Sequence, residues 1–273
     1  MNQRHAIVDT IEPDATGRVL SRRDAIRKAS LAGLSVAARL GMVSVPVGIA
    51  VLARDSHAQG GPAAIIDVLN FALTLEYLED EFYRTGLARP VAASFSPAER
   101  NAIVTVSMHE TAHVAFLQMA IRSFQGTPVP RPIFDFTARG AFSDVFSNRA
   151  TFLAVAQAFE DTGVRAYKGQ AGNVMSNDMV LTAALQIHAV EARHASQIRR
   201  LRGQKGWITN EDRGDLPPLT QPVYAGEANT VHGGVDAAPF GNDVGGVAAV
   251  TEAFDEPLSR EAVLSIVSPF IVG

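Results

Sequence analysis

The sequence predicts an all-α fold: a four-helix bundle built from two hairpins with one long crossover between them, followed by an irregular C-terminal arm carrying short terminal helices. Three observations predict it. Apolar residues recur at helical spacing in four segments. The links inside each hairpin are short, which makes antiparallel neighbours. The middle link, residues 125–147, reaches about 75 Å when extended. A helix of about 26 residues is only about 39 Å long, so this link can cross the bundle and leave the second and third helices parallel.

The first helix follows from Ile66, Leu69, Leu73, Tyr77 and Phe82 over 65–87, and Pro90 breaks it. Ser96-Pro97 starts the second, with a capping Ser and a Pro at the first helical position, and Gly126 stops it. The crossover holds three prolines and two glycines and reads as irregular with one short helical turn. A third helix starts near Asn148 and fades at Gly169–Gly172. A fourth starts after Ser176 or Asn177 and ends at Gly203. The arm is rich in Gly and Pro up to 246, and Val247–Phe254 and Ser259–Phe270 read as two short helices around Pro257. Such a tail is expected to pack on its own bundle or on a neighbouring subunit. The segments are therefore 1–58, an export signal; 59–203, the bundle; and 204–273, the extension.

The chain has 273 residues and no cysteine. Thiolate metal sites, iron–sulfur clusters, disulfides and thiol catalysis are excluded, so any metal must be held by His and carboxylate. The net charge is −4, with eight Lys/Arg against five Asp/Glu in 1–58 and sixteen against twenty-three beyond. A mildly acidic body without a basic stripe excludes nucleic acid as a partner.

Arg22-Arg23 precede a modest apolar run from Ala29 to Ala53, and Ser56-His57-Ala58 offers a small-x-small cleavage pattern, with cleavage after Ala58. A twin arginine before such a run resembles a Tat export signal, with Ala25 where a Phe is usual. The resemblance implies the Tat machinery as a partner and a periplasmic or otherwise exported protein, membrane-anchored if the segment is retained. A chance Arg-Arg pair on an amphipathic helix is the alternative.

The chemistry lies in a repeat. Leu69 to Glu76, with Tyr83 beyond, matches Leu153 to Glu160, with Tyr167 beyond; in both, Tyr follows Glu by seven residues. Glu110-Thr111-Ala112-His113 matches Glu191-Ala192-Arg193-His194, and the halves read as a duplication. Glu and His three apart share a helix face. Glu110 and Glu191 can therefore bridge two ions, Glu76 and Glu160 can be terminal ligands, and His113 and His194 can bind one ion each. Four Glu and two His around two divalent ions leave no net core charge; without metal the carboxylates repel and some protonate.

Glu79 could swing in as an extra ligand, lie beside the ligands, or be a surface acid. Tyr83 and Tyr167 could hydrogen-bond the bridging carboxylates, donate an electron or simply pack in the core. His109 and His188 read as histidines beside the site or on the surface. Glu252 and Glu256 could close the site from the tail or sit on an exposed short helix.

These six positions match, one by one, the ligand positions of bacterioferritin-type di-iron proteins, and the chain is identified as a member of the ferritin-like family. Asn70-Phe71-Ala72-Leu73-x-Leu75-Glu76-Tyr77-Leu78-Glu79, the Glu160-Asp161-x-Gly163 stretch and Phe254-Asp255-Glu256-Pro257-Leu258 more closely resemble its exported branch, which includes stress- and desiccation-related proteins. The resemblance implies two divalent ions and O2 or peroxide as small-molecule substrate. Manganese catalases share the bundle but have a fourth helix without the paired Glu, so Glu191-x-x-His194 favours iron over manganese. Without cysteine a rubrerythrin-style internal electron relay is excluded, and the long tail is unlike that of cage-forming ferritins. Three functions remain open: a di-metal oxidoreductase (ferroxidase, peroxidase or catalase-like), a non-enzymatic metal-binding or structural bundle protective in desiccation and stress, and a helical adaptor. A homo-oligomer formed through the tail is a further expectation.

Overall fold

The computed structural model describes residues 62–272. Arg22, Arg23 and the cleavage position after Ala58 lie outside the described residues. Among the described residues no helix is long and apolar enough to cross a membrane.

Four long helices form as the apolar periodicity requires: α1 (Pro62–Ala88), α2 (Pro97–Ser123), α3 (Arg149–Gln170) and α4 (Asp178–Leu201). Their starts are set by local chemistry. Ser96 and Glu99 form a reciprocal capping box at α2, with Pro97 just inside. The side chains of Asn148 and Asn177 accept from backbone N–H groups at the starts of α3 and α4. Helix α1 packs on α2 and α3 on α4, and the two pairs then face each other.

The crossover is anchored along α1. Asn70 Oδ1 accepts from the Val129 N–H at 2.8 Å, and Arg131 donates to Asp80 at 2.6 Å while lying over the Tyr77 ring. Besides hydrogen-bonded turns over 136–147, it contains a strand, β1 (Ile133–Phe134), which pairs antiparallel with the strand Ile271–Val272 near the end of the arm. Two-residue strands joined across such a sequence distance carry no periodicity to read.

Helix α3 is buried from Phe152 to Tyr167 on every face. One side meets the bundle; the other is covered by the arm. Val223, Tyr224, Leu216 and Ile208 pack on Ala154 and Ala158. Arg165, fully buried, donates to the carbonyls of Val223, Ala225 and Glu256 and pairs with Glu227 at 2.8 Å. Burial lowers the Arg165 pKa and lifts the Glu227 carboxyl to about 7, as expected where desolvation outweighs the attraction within a pair. Asp161 accepts two bonds from Arg199 and one from Tyr224. At Gly169 an added Cβ would lie 1.9 Å from the Leu258 carbonyl oxygen, so only glycine admits the tail there. The short helices α5 (Val247–Thr251) and α6 (Arg260–Val267) end the arm, which packs on its own bundle.

Candidate metal centre

One residue in the middle of α1, two on α2, one on α3 and two on α4 point to a common place in the bundle. Glu76, Glu110, Glu160 and Glu191 have no exposed surface, and His194 is 4% exposed. Two groups form: Glu76, Glu110, His113 and Glu191; and Glu110, Glu160, Glu191 and His194. Within each, one N or O atom per residue lies within 4.8 Å of the others. Glu110 and Glu191 belong to both groups.

Imidazole nitrogens lie between the carboxylates. His113 Nδ1 lies 3.2 Å from Glu76 Oε2 and 3.1 Å from both Glu110 Oε2 and Glu191 Oε1. His194 Nδ1 lies 2.8 Å from Glu110 Oε1 and 3.5 Å from Glu160 Oε2. Several of these approaches lack hydrogen-bond geometry. Glu110 Oε1, Glu160 Oε2, both Glu191 oxygens and His194 Nδ1 are buried with no hydrogen-bond partner. Buried polar atoms without partners are costly, and these converge as a donor set of carboxylate oxygens and imidazole nitrogens that could hold metal ions.

The electrostatics follow from burial and crowding. Glu79 and Glu110 are pushed well above the carboxylate range, by desolvation first and then by Glu191. Desolvation also lifts Glu160, to about 7. Glu191 goes the other way: burial opposes ionisation, but His113 and His194 outweigh it and bring the carboxyl to about 2. Burial likewise disfavours charge on His113, yet the carboxylates of Glu110, Glu191 and Glu76 beside it raise it to about 12. His194 is raised too, against burial, chiefly by Glu160 and Glu110. In the metal-free site the two imidazoles therefore carry protons.

The tyrosines bond the outer carboxylates rather than the shared ones, and each reaches across to the other hairpin. Tyr83 on α1 donates to Glu160 Oε1, and Tyr167 on α3 donates to Glu76 Oε1, both at 2.5 Å. Burial, reinforced by those carboxylates, raises both phenols and keeps them protonated donors. His109 is exposed; its Nδ1 shares a hydrogen bond of 2.9 Å with His194 Nε2, which leaves His194 Nδ1 facing the carboxylates. His188 is satisfied by the Val164 carbonyl. Glu252 accepts from Lys205 and Thr209, and Glu256 from Asn229, so neither closes the cluster.

Glu79 is no surface acid. It is 3% exposed and touches the cluster's edge. A Cβ at Gly163 would stand 3.0 Å from Glu79 Oε1 and 3.4 Å from Glu191 Oε2. The signal was present in the repeat: Glu79 follows Glu76 by three, as Gly163 follows Glu160. The repeat is broken where the two copies meet. The clamp of Arg165 by the arm had no such signal, because its partners are 58, 60 and 91 residues away.

Fold and cluster together define a four-helix bundle with a buried Glu/His carboxylate site. The chain belongs to the family described as Ferritin-like domain, which matches residues 64–204, the four helices and all six clustered residues. No curated protein matches the chain significantly.

Proposed function

We propose that this is an exported di-metal carboxylate protein, carrying iron in preference to manganese, that performs redox chemistry with O2 or peroxide in stress protection. One observation carries the reading: the buried Glu and His side chains form two ligand groups that share Glu110 and Glu191, and five of their atoms have no hydrogen-bond partner. Such a pair of ions, when bound, supplies the electrons that reduction of O2 or peroxide consumes. The chain's own part is to hold and orient. Glu110 and Glu191 span both groups, Glu76 and Glu160 close the ends, and His113 and His194 give one nitrogen each. Tyr83 and Tyr167 fix the end carboxylates by donating to one oxygen of each, while the other oxygen lies beside an imidazole. Burial, reinforced by its carboxylate neighbours, pushes the Glu79 carboxyl well above the usual range, and the other four carboxylates match two divalent charges. Iron is favoured by the paired Glu191 beside His194, and export by the twin arginine at Arg22 and Arg23.

The test is metal analysis of protein purified after native export, followed by ferrous-oxidation and peroxide assays on wild type and Glu110→Ala. About two equivalents of iron and a turnover lost in Glu110→Ala are expected. Less than about half an equivalent sinks the two-metal reading, and two equivalents without turnover converts it to a non-enzymatic metal protein. Arg22→Lys with Arg23→Lys should hold the chain in the cytoplasm.

A further inference from the structure

The bundle interior is filled differently on the two sides of the carboxylate cluster. Toward the start of α3 it is packed with rings: Phe82 stacks on Phe152 with centroids 4.6 Å apart, and Phe95, Phe146 and Phe159 lean on that pair. Toward the start of α4 the helices instead line a partly open recess with about 30 Å³ of free space, whose wall is almost wholly carbon.

This cavity adjoins the cluster by helical register. Ala72 precedes Glu76 by four residues, Leu117 follows His113 by four, and Ile187 precedes Glu191 by four, and all three line it. Residues four apart share a helix face about one turn apart. The wall is therefore the continuation of the surface that carries the ligands. Tyr167 is the fourth wall, and its hydroxyl is committed to Glu76 Oε1 at 2.5 Å. The other polar side chain at the wall, Gln170, accepts from Asn173.

Water needs two to four polar partners to settle in a buried space, and apolar cavities stay dry while taking apolar solutes. This one has room for a small apolar molecule, and its wall offers little to hold water: the Tyr167 hydroxyl is committed to Glu76 and Gln170 Oε1 already accepts from Asn173. We propose that it is a holding site for molecular oxygen, one helical turn from the cluster and separated from it by the Tyr167 ring. The proposal rests on the reading of the cluster as an O2-using metal centre, but the cavity's preference for apolar gas can be measured without it.

The probe is xenon, an apolar atom that marks dry cavities. Crystals of the purified protein under xenon pressure should show one xenon between Ala72, Leu117 and Ile187, and Ala120→Leu or Ala184→Leu should abolish it. Ala184 is half-buried, so its larger side chain has room to relax if Ala120→Leu fails to fold. In the iron-loaded protein these variants should lower the second-order rate of ferrous oxidation by O2 on the order of tenfold, while oxidation by hydrogen peroxide, a polar oxidant, keeps its rate. No xenon in the wild-type cavity overturns the proposal, as does an unchanged O2 rate in a variant shown to exclude xenon. Xenon bound in a protein that takes up no metal would instead leave the gas site standing and remove the metal reading.

Discussion

Hairpin α1–α2 and hairpin α3–α4 set the same residue types at the same turns, yet they are furnished differently around them. Each gives one Glu, one Glu-x-x-His and one Tyr. The first adds Glu79 and His109; the second has Gly163 and Val190 at those steps. The first is lined by the crossover, whereas the second is wrapped by the arm until α3 has no exposed face over most of its length. The difference teaches where a duplicated half is free to change. Residues aimed at the common site are alike in both, and departures occur where one copy presses on the other or where only one copy is covered.

The comparison breaks first at the proposed ligands. Removing a shared carboxylate, Glu110→Ala or Glu191→Ala, should cost both metal equivalents, whichever hairpin it comes from. Glu76→Ala or Glu160→Ala should cost one, as read by metal analysis after dialysis. Equal losses from all four would erase the distinction between shared and terminal residues.

Next comes the arm, which reaches the first hairpin through Arg260 on Asp67 but buries its clamp, Arg165, in the second. Arg165→Ala leaves Glu227 buried without its partner and frees three carbonyls. A loss of about 3–5 kcal/mol is expected from breaking such a pair, read by chemical denaturation, with the arm beyond 203 becoming sensitive to protease. Gly163→Ala should cost about 1–3 kcal/mol by crowding Glu79. Glu79→Ala in the same chain should return much of that loss, because contacting sites couple. Additive losses would separate the two residues.

The smallest effect is in pH. Without metal, Glu191 contributes stability present above its ordinary 4.5 and lost as pH falls toward about 2. Glu160 contributes below 4.5 and loses that contribution as pH rises to about 7. His113 contributes below 6.5 and loses it as pH rises toward about 12. The metal-free protein should therefore melt highest in mild acid and progressively lower above neutrality. Divalent metal should reverse the trend around neutrality, since it competes with those protons for the same atoms. Melting curves with and without chelator across this range decide it.

Much of this was legible because it is local. Ser96-Pro97, Asn148 and Asn177 mark helix starts through chemistry within three residues, and the ligand spacing follows from one helical turn. What was illegible is long-range. Ile133 gives no sign that it will pair with Val272, and Arg165 does not name the carbonyls that receive it. The tyrosines were visible as neighbours of the site, but their partners were not, because the choice between shared and outer carboxylates depends on how the hairpins dock.

The meeting of Glu79 with Gly163 bears on how such a fold can exist as one chain. Two copies of the first hairpin, assembled as a symmetric dimer, would force two carboxyls into the same small space. Two copies of the second would face glycine with glycine and leave a gap there. Neither half is its own good mate. Covalent fusion lifts the rule that both partners must be identical, and the chain uses that freedom at one position to seat a single acid beside an otherwise evenly shared centre.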